Sequence, residues 1–191
     1  LNKEHNVWID LLVYTPNSVK RCPMFLGINF MGNDKCTMEE DVSGPDREQA
    51  RRYGIYSNYP RGQNARRWPL ELILERGYGV AFFNRADVEP DFDDTNNLGV
   101  QRIYPREAGK GMCAPDQWGS ISAWAWGLSR AMDYLVTDSD IDPARVAVIG
   151  HSRLGKTALW AGANDPRFAM VVANDSGCGG AALSRRNFGE T

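Results

Sequence analysis

Short apolar runs alternate with long polar segments along the chain. The runs rich in β-branched and aromatic residues are VWIDLLVYTP (7–16), PMFLGINF (23–30), YGVAFFN (78–84), RVAVIG (145–150) and FAMVVAN (168–174). Such residues fit the pleated surface of a sheet, and each run has the length of one strand. We therefore predict a strand at each of these five runs.

Helices are predicted between the later strands. In WGSISAWAWGLSRAMDYLV (118–136), apolar residues recur at helical spacing and give one face that can cover a sheet: Ile121, Trp124, Ala125, Leu128, Met132 and Leu135. A second helix, from about Leu154 to Ala163, joins the last two strands. Strand, helix and strand in this order imply a right-handed crossover and a parallel sheet. The predicted fold class is α/β with three layers.

Size and charge narrow the classes of function. The 191 residues, 42% of them apolar, suit one domain with one core. A formal charge of -2 gives no broad basic field, which argues against nucleic acid as a partner. No apolar run in the sequence approaches the roughly 20 residues that span a bilayer, so no membrane association is predicted.

Cysteine and histidine content does not favour a metal site. The four cysteines, Cys22, Cys36, Cys113 and Cys178, form no C-x-x-C pair, and the chain has two histidines. We expect buried free thiols, with one disulfide as the alternative in an exported protein. Neither a metal nor a cofactor is predicted.

Two long polar segments, 36–69 and 84–117, separate the predicted elements. Loops of this length in an α/β domain often form a binding surface at the carboxyl edge of the sheet, with solvated insertions as the alternative. The second segment holds an acidic cluster of Asp87, Glu89, Asp91, Asp93 and Asp94. Its spacing lacks the glycine and the final glutamate of a calcium loop, so we expect a solvated acidic loop.

The octet GHSRLGKT (150–157) fits two motifs. It matches the G-x-x-x-x-G-K-[ST] pattern of a phosphate-binding loop, and it places Ser152 in a G-x-S setting between a strand and a helix. A phosphate cradle favours small residues before its lysine, whereas His151, Arg153 and Leu154 are bulky. We therefore favour a nucleophile elbow at Ser152. A helix N-cap serine and a nucleotide-binding loop are the alternatives.

Basic residues follow this serine. The N–H of Arg153, at the start of the helix, would face an oxyanion formed on attack, and its guanidinium would add a charged donor. Lys156 lies four residues after Ser152 and shares its helical face. A cationic pocket of this kind suits a substrate or product with a carboxylate, and plain surface charge is the alternative. A second oxyanion donor is expected near Gly32, after the strand at 23–30.

Four segments resemble the bacterial branch of the glucuronoyl esterase family: RADVEPDFDD (85–94), WGSISAWAWGLSRAMDYL (118–135), GHSRLGK (150–156) and NDSGCGGAALSRR (174–186). The family's signature has a glycine three residues after the serine, as Gly155 is here. The resemblance implies an α/β-hydrolase-like three-layer sandwich. It also implies cleavage of esters of (4-O-methyl)glucuronic acid in glucuronoxylan, a polysaccharide substrate and a secreted or periplasmic location.

The same resemblance assigns roles to individual residues. Ser152 is the expected nucleophile, and Arg153 is the expected oxyanion stabiliser. Lys156 and Glu190 are the expected contacts to the sugar. Asp175, after the strand that follows the elbow, is the expected catalytic acid, with a later acid or a capping carboxylate as alternatives.

The catalytic histidine is missing from this arrangement. A serine hydrolase of this fold has its histidine after the acid, and no histidine follows Ser152. His151 is set aside because neighbours in an extended backbone point to opposite sides, and His5 is expected to be structural. The family's histidine lies beyond Thr191. We therefore expect 1–191 to be a partial α/β-hydrolase catalytic domain that lacks its C-terminal part and is inactive alone.

Two other functions stay open. One is another esterase of the same fold, acting on acetyl or feruloyl esters, which would share Ser152 without the uronate contacts. The other is a non-catalytic α/β-hydrolase-like binding protein.

Overall fold

A computed structural model describes residues 7–44, 59–92, 99–100, 103–104, 118–183 and 185. Its strands are β1 (Leu12–Tyr14), β2 (Cys22–Asn29), β3 (Gly79–Asn84), β4 (Ile141–His151) and β5 (Met170–Asn174). Its α-helices are α1 (Leu70–Glu75), α2 (Ser120–Leu135) and α3 (Arg153–Asn164). The five predicted strands and both predicted helices are confirmed. None of the helices in the described residues is both long and apolar enough to cross a membrane.

The strands form one sheet in the order β1-β3-β2-β4-β5. β2, β3, β4 and β5 pair in parallel, as the strand-helix-strand pattern predicts. β1 pairs antiparallel with β3 at one edge. The sheet is therefore mixed, because β1 is not part of a strand-helix-strand unit and the rule for parallel pairing does not apply to it.

Helices cover both faces of the sheet and produce the three predicted layers. On one face, α2 and α3 pack over strand residues such as Leu26 and Phe83. On the other face, Val80 and Phe82 pack against Trp68 and α1. β3 is buried along its whole length because both of its faces meet a helical layer.

Helix α2 buries the face that its periodicity predicts. Trp124, Leu128, Met132 and Leu135 are buried in the main core. The indole N–H of Trp124 donates a hydrogen bond to the carbonyl oxygen of Glu89 at 2.8 Å. This bond satisfies the polar group of a buried tryptophan and ties α2 to the segment that follows β3.

The acidic cluster is not the solvated loop that its charge predicts. The side chain of Glu89 is buried, and that of Asp91 is 18% exposed and lies 2.7 Å from the guanidinium of Arg153. The prediction was wrong for these residues because their surroundings come from distant parts of the chain. Asp93 and Asp94 lie outside the described residues.

Asp87 is also held by a distant residue. One of its carboxylate oxygens accepts a hydrogen bond from the backbone N–H of Asp10 at 3.1 Å. Among the described residues, no group of three or more histidine, cysteine, aspartate or glutamate side chains is arranged to hold a metal ion. The described residues of the cluster therefore make contacts within the protein.

Burial of Asp87 makes the stability of the fold depend on pH. It raises the pKa of Asp87 from 3.8 to about 7. The folded protein therefore holds this proton more tightly than the unfolded chain between about pH 4 and pH 7. A group of this kind stabilises the fold at low pH, and the free energy of unfolding should fall as the pH rises through that window.

Asp87→Asn should remove this pH dependence. The asparagine keeps an acceptor oxygen and carries no charge, so its free energy of unfolding relative to the wild type should rise between pH 5 and pH 8, by on the order of 2 kcal/mol. Urea unfolding at the two pH values measures the change. Asp142→Asn is the control, because a hydrogen bond from Arg145 lowers the pKa of Asp142. The same gain in both variants would contradict the assignment.

Candidate active site

The chain turns sharply at Ser152. β4 ends at His151, α3 begins at Arg153, and Ser152 between them has φ 57° and ψ -129°. A positive φ is unfavourable for a residue with a Cβ and persists only where the surrounding structure enforces it. A serine in such a strand-turn-helix junction has the geometry of a nucleophile elbow.

The hydroxyl of Ser152 does not cap the helix. Ser152 occupies the N-cap position of α3, but its side chain makes no capping hydrogen bond. Its backbone carbonyl accepts from the N–H groups of Gly155 at 2.8 Å and Lys156 at 3.2 Å. The N-cap alternative for this serine is therefore wrong, and its hydroxyl is available for another role.

Gly150 allows the turn to form. A Cβ atom at this position would collide with the carbonyl oxygen of Leu154 and lie 2.8 Å from the backbone nitrogen of Gly155. The first turn of α3 therefore folds back over the end of β4 only because position 150 has no side chain.

Gly155 brings the helix close to the end of β5. A Cβ atom at Gly155 would lie 3.0 Å from both the carbonyl oxygen of Asn174 and the Cβ of Ser176. The backbone N–H of Ser152 donates to the same carbonyl oxygen of Asn174 at 3.0 Å. The elbow and the carboxyl end of β5 are thus fixed against each other.

Arg153 supplies positive charge beside the serine. Its N–H belongs to the first turn of α3, where N–H groups have no acceptor within the helix. Its guanidinium lies 5.7 Å from the ring centre of Phe30 and donates to Asp91 at 2.7 Å. The Nε of Arg85 lies 3.6 Å from the same oxygen of Asp91. A helix N-terminus and two guanidinium groups favour an anion at this place.

A cavity of about 810 Å³ opens at the elbow. Its wall includes Ser152, Arg153 and residues of both long polar segments, such as Trp68 and Phe92. It also includes the ends of β2, β4 and β5, which is where open α/β sheets bind ligands. The described residues of the two segments therefore contribute to a concave surface at the expected edge of the sheet.

His151 lies on the wall of the same cavity. His151 was expected to point away from Ser152, as neighbours in an extended backbone do, but the positive φ of Ser152 shows that the backbone is not extended there. Its Nδ1 lies 3.0 Å from the side-chain amide nitrogen of Asn174. The two side chains therefore share one hydrogen bond, which engages the Nδ1 of His151.

Two other predicted site residues lie near the elbow but are not among the residues that line the cavity. Asp175 directly follows β5, has φ 49° and is exposed. Lys156 lies beside Gly179, where an added Cβ would be 3.8 Å from the lysine Cε. The roles assigned to Asp175 and Lys156 stay predictions. Glu190 and His5 lie outside the described residues.

We expected a second oxyanion donor near Gly32, but the backbone N–H of Gly32 already donates a hydrogen bond within its own loop. It donates to Oδ1 of Asn29 at 2.8 Å, and the N–H of Met31 donates to the same oxygen at 3.2 Å. The expectation is wrong for Gly32 because the asparagine side chain takes this N–H. The loop has a different part in the site, since it carries the Phe30 ring that lies against Arg153.

Cys36 is a second nucleophilic residue type on the cavity wall. Its thiol donates to the carbonyl oxygen of Gly32 at 3.5 Å, and burial raises its pKa to about 12. The thiol therefore stays protonated at neutral pH and does not compete with Ser152. Cys22 is also a buried free thiol, as expected for both residues, whereas the expectation of burial is wrong for Cys178, which is exposed. Cys113 lies outside the described residues.

Sequence reasoning missed the partners of Arg153. Asp91 lies 62 residues before Arg153, and no spacing rule connects two positions so far apart. Phe30 comes from yet another loop. The segment RADVEPDFDD contains Asp91 and was singled out for its acidic cluster and for its resemblance to a family, and neither indicated this ion pair.

The fold and the elbow together define a class of protein. In a three-layer sandwich, a serine with positive φ lies between a parallel strand and a helix. A cavity opens at the edge of the sheet where this serine lies. This is the arrangement of the α/β-hydrolase fold.

Comparisons with known proteins identify the family. A family model described as fungal glucuronyl esterase matches residues 77–189, which include the elbow. The chain belongs to the glucuronoyl esterase family. Carbohydrate esterase MZ0003, from an unknown prokaryotic organism, is 48% identical over 198 aligned residues, which cover 99% of this chain and 45% of that protein. The octet at 150–157 therefore lies within a glucuronoyl esterase domain, which argues against the phosphate-binding loop.

Solved structures show the same relationship. A promiscuous CE15 esterase from the marine bacterial metagenome is 48% identical, with a TM-score of 0.76 over 96% of this chain and 47% of that one. A glucuronoyl esterase from Solibacter usitatus is 39% identical, with a TM-score of 0.82 over 100% of this chain and 49% of that one. The chain spans about half the length of these relatives.

Gly150→Ala should test the packing of the elbow. The added methyl group forces α3 away from β4, so the free energy of unfolding should fall by about 3 kcal/mol, as for other overpacked sites. Urea unfolding measures the loss. Gly119→Ala is the matched control, because an added Cβ there has no described atom within 4 Å, and it should cost at most about 1 kcal/mol. Equal losses in the two variants would show that Gly150 is not under steric constraint.

Proposed function

We propose that the protein is a serine carboxylic ester hydrolase that cleaves esters of (4-O-methyl)glucuronic acid in glucuronoxylan. The observation that carries this proposal is the turn at Ser152, which opens on a cavity and makes no capping hydrogen bond. Arg153 follows it at the start of α3 and brings a helix N-terminus and a guanidinium to the same cavity.

The proposed reaction has two steps. The Oγ of Ser152 attacks the ester carbonyl carbon, and the carbonyl oxygen becomes an oxyanion. The N–H and the guanidinium of Arg153 stabilise this charge, and the alcohol leaves with a proton. Water then hydrolyses the acyl-enzyme and releases the uronic acid. We propose that a histidine outside residues 1–191 moves these protons and that Asp175 is the acid that orients it, with a later acid as the alternative.

The charge of the site supports ester hydrolysis, and the names of relatives support a uronic acid as the acyl group. Hydrolysis converts a neutral ester into a carboxylate, and cationic groups at the reacting carbon stabilise charge that grows along this path. Lys156 and Glu190 are proposed to contact the sugar hydroxyls. Relatives named 4-O-methyl-glucuronoyl methylesterase, such as the one from Wolfiporia cocos at 35% identity over 133 residues, support the same substrate class.

A broader esterase is the second candidate. The structurally solved relative at 48% identity is described as promiscuous, which favours activity on more than one ester class. An acetyl or feruloyl esterase would use Ser152 and Arg153 in the same way and would gain nothing from Lys156 or Glu190.

The family membership also supports a location outside the cytoplasm. Glucuronoxylan is an extracellular polymer that does not cross a membrane, so an enzyme that cleaves it must reach it there. We propose secretion or export to the periplasm. Residues 1–191 are proposed to form part of the catalytic domain.

Ser152→Ala tests the nucleophile. Its hydroxyl makes no capping hydrogen bond, so the variant should unfold at nearly the wild-type temperature while ester turnover falls by several orders of magnitude. The rate is measured with benzyl glucuronate in the full-length protein that contains this chain. A variant with a near-normal rate would refute the assignment.

Arg153 and Lys156 should have separable effects. Arg153→Ala removes a donor to charge that develops on attack, so kcat should fall roughly 10²- to 10³-fold. Lys156→Ala removes a contact to the bound sugar, so KM should rise with kcat little changed. Steady-state kinetics on benzyl glucuronate separate the two outcomes, and exchanged effects would mean that the roles are misassigned.

The substrate class is tested by comparing two esters. The ratio kcat/KM should be higher for benzyl glucuronate than for acetylated xylan, because an acetyl group offers no uronate ring to the basic residues. A preference for the acetyl ester would support the second candidate instead.

A further inference from the structure

We propose that Asp91 is a positioning residue that fixes the guanidinium of Arg153 at the oxyanion site. This inference rests on the proposed roles of Ser152 and Arg153. It adds a third residue, from a segment between β3 and α2, to the groups on which the chemical step depends.

The need for such a residue follows from the exposure of Arg153. Its side chain is 51% exposed, although it begins a helix that is firmly packed. A long arginine side chain in water samples many rotamers, and holding one of them costs about 2 kcal/mol of entropy. An oxyanion donor is effective only if it is already in place when the charge develops.

Two contacts restrict this side chain. The Nη1 of Arg153 donates to Oδ2 of Asp91 at 2.7 Å, which is a charge-assisted hydrogen bond of good length. The Phe30 ring lies 5.7 Å from the guanidinium carbon and offers a favourable surface to the cation. With one nitrogen engaged by the carboxylate, the remaining N–H groups of the fork stay available to a ligand.

Asp91 is itself fixed by the fold. Its side chain is 18% exposed and lies 3.6 Å from the Nε of Arg85, whose side chain is 4% exposed. The segment leading to it is tied down by the hydrogen bond from the N–H of Glu89 to the carbonyl of Arg85 at 3.0 Å. The indole N–H of Trp124 donates a hydrogen bond to the carbonyl oxygen of Glu89 at 2.8 Å. Asp91 is therefore anchored to the core and transmits that rigidity to Arg153.

The charges in this group are compatible with an oxyanion. One carboxylate stands between two guanidinium groups, so the set keeps a net positive charge. Asp91, Arg85, Arg153 and Ser152 all line the same cavity.

The test measures coupling between Asp91 and Arg153 in the full-length protein. The variants are Asp91→Ala, Arg153→Ala and the double variant, assayed on benzyl glucuronate and on p-nitrophenyl acetate. Asp91→Ala should lower kcat about 10-fold on both esters, a loss typical of a misplaced catalytic group, with KM within about threefold. In the Arg153→Ala background the same change should cause no further loss of kcat.

Asp91→Asn is a second variant that keeps the proposal testable if Asp91→Ala does not fold. Asparagine keeps the size of the side chain and an acceptor oxygen but loses the charge, so an intermediate loss of kcat is expected. Asp133→Ala is the control for removing an ion pair, since Asp133 lies 3.0 Å from Arg130 and 2.8 Å from Arg167. Its kcat should equal that of the wild type.

Two results would overturn the proposal. An unchanged kcat in Asp91→Ala would show that Arg153 needs no support. An equal loss in the wild-type and Arg153→Ala backgrounds would show that Asp91 acts by another route, such as through Arg85. Failure of the proposed substrate class can be distinguished from failure of the Asp91 proposal. In that case the wild type would cleave p-nitrophenyl acetate and not benzyl glucuronate, and the acetate assay would still measure the coupling between Asp91 and Arg153.

Discussion

The site depends on one backbone constraint, the positive φ of Ser152. This conformation is unfavourable by itself, and the surrounding contacts retain it. The missing side chain at Gly150 lets α3 fold back over β4, and the carbonyl of Asn174 holds the N–H of Ser152 at 3.0 Å. The serine, the helix N-terminus and the cavity come together only because the chain makes this turn. The geometry of the site therefore follows from the packing of Gly150, Gly155 and the end of β5.

The side chains around the turn come from three separate parts of the chain. Arg153 belongs to the helix, Phe30 to the loop after β2, and Asp91 to the segment after β3. The parallel strands end at the same edge of the sheet and deliver these side chains to one place. The core hydrogen bond between Trp124 and Glu89 then connects α2 to this edge of the sheet.

Local signals in the sequence predicted the fold and the sharp turn at Ser152, and pairings between distant parts of the chain were not predicted. The periodicity of apolar residues predicted α2 and its buried face, and the octet around Ser152 predicted the elbow, because each depends on residues that are neighbours in sequence. The Asp91 and Arg153 pair could not be predicted because 62 residues separate its members. Gly32 was misjudged because the side chain of Asn29 takes its N–H.

The central claim is that Ser152 is an activated nucleophile at the edge of this sheet. A fluorophosphonate measures this directly, because an activated serine displaces its fluoride and forms a stable covalent bond to phosphorus. Peptide mass spectrometry of the full-length protein after treatment should show the phosphonyl group on the peptide with Ser152, in step with loss of ester hydrolysis. Inactivation with the label on another residue, or full activity with Ser152 labelled, would contradict the account.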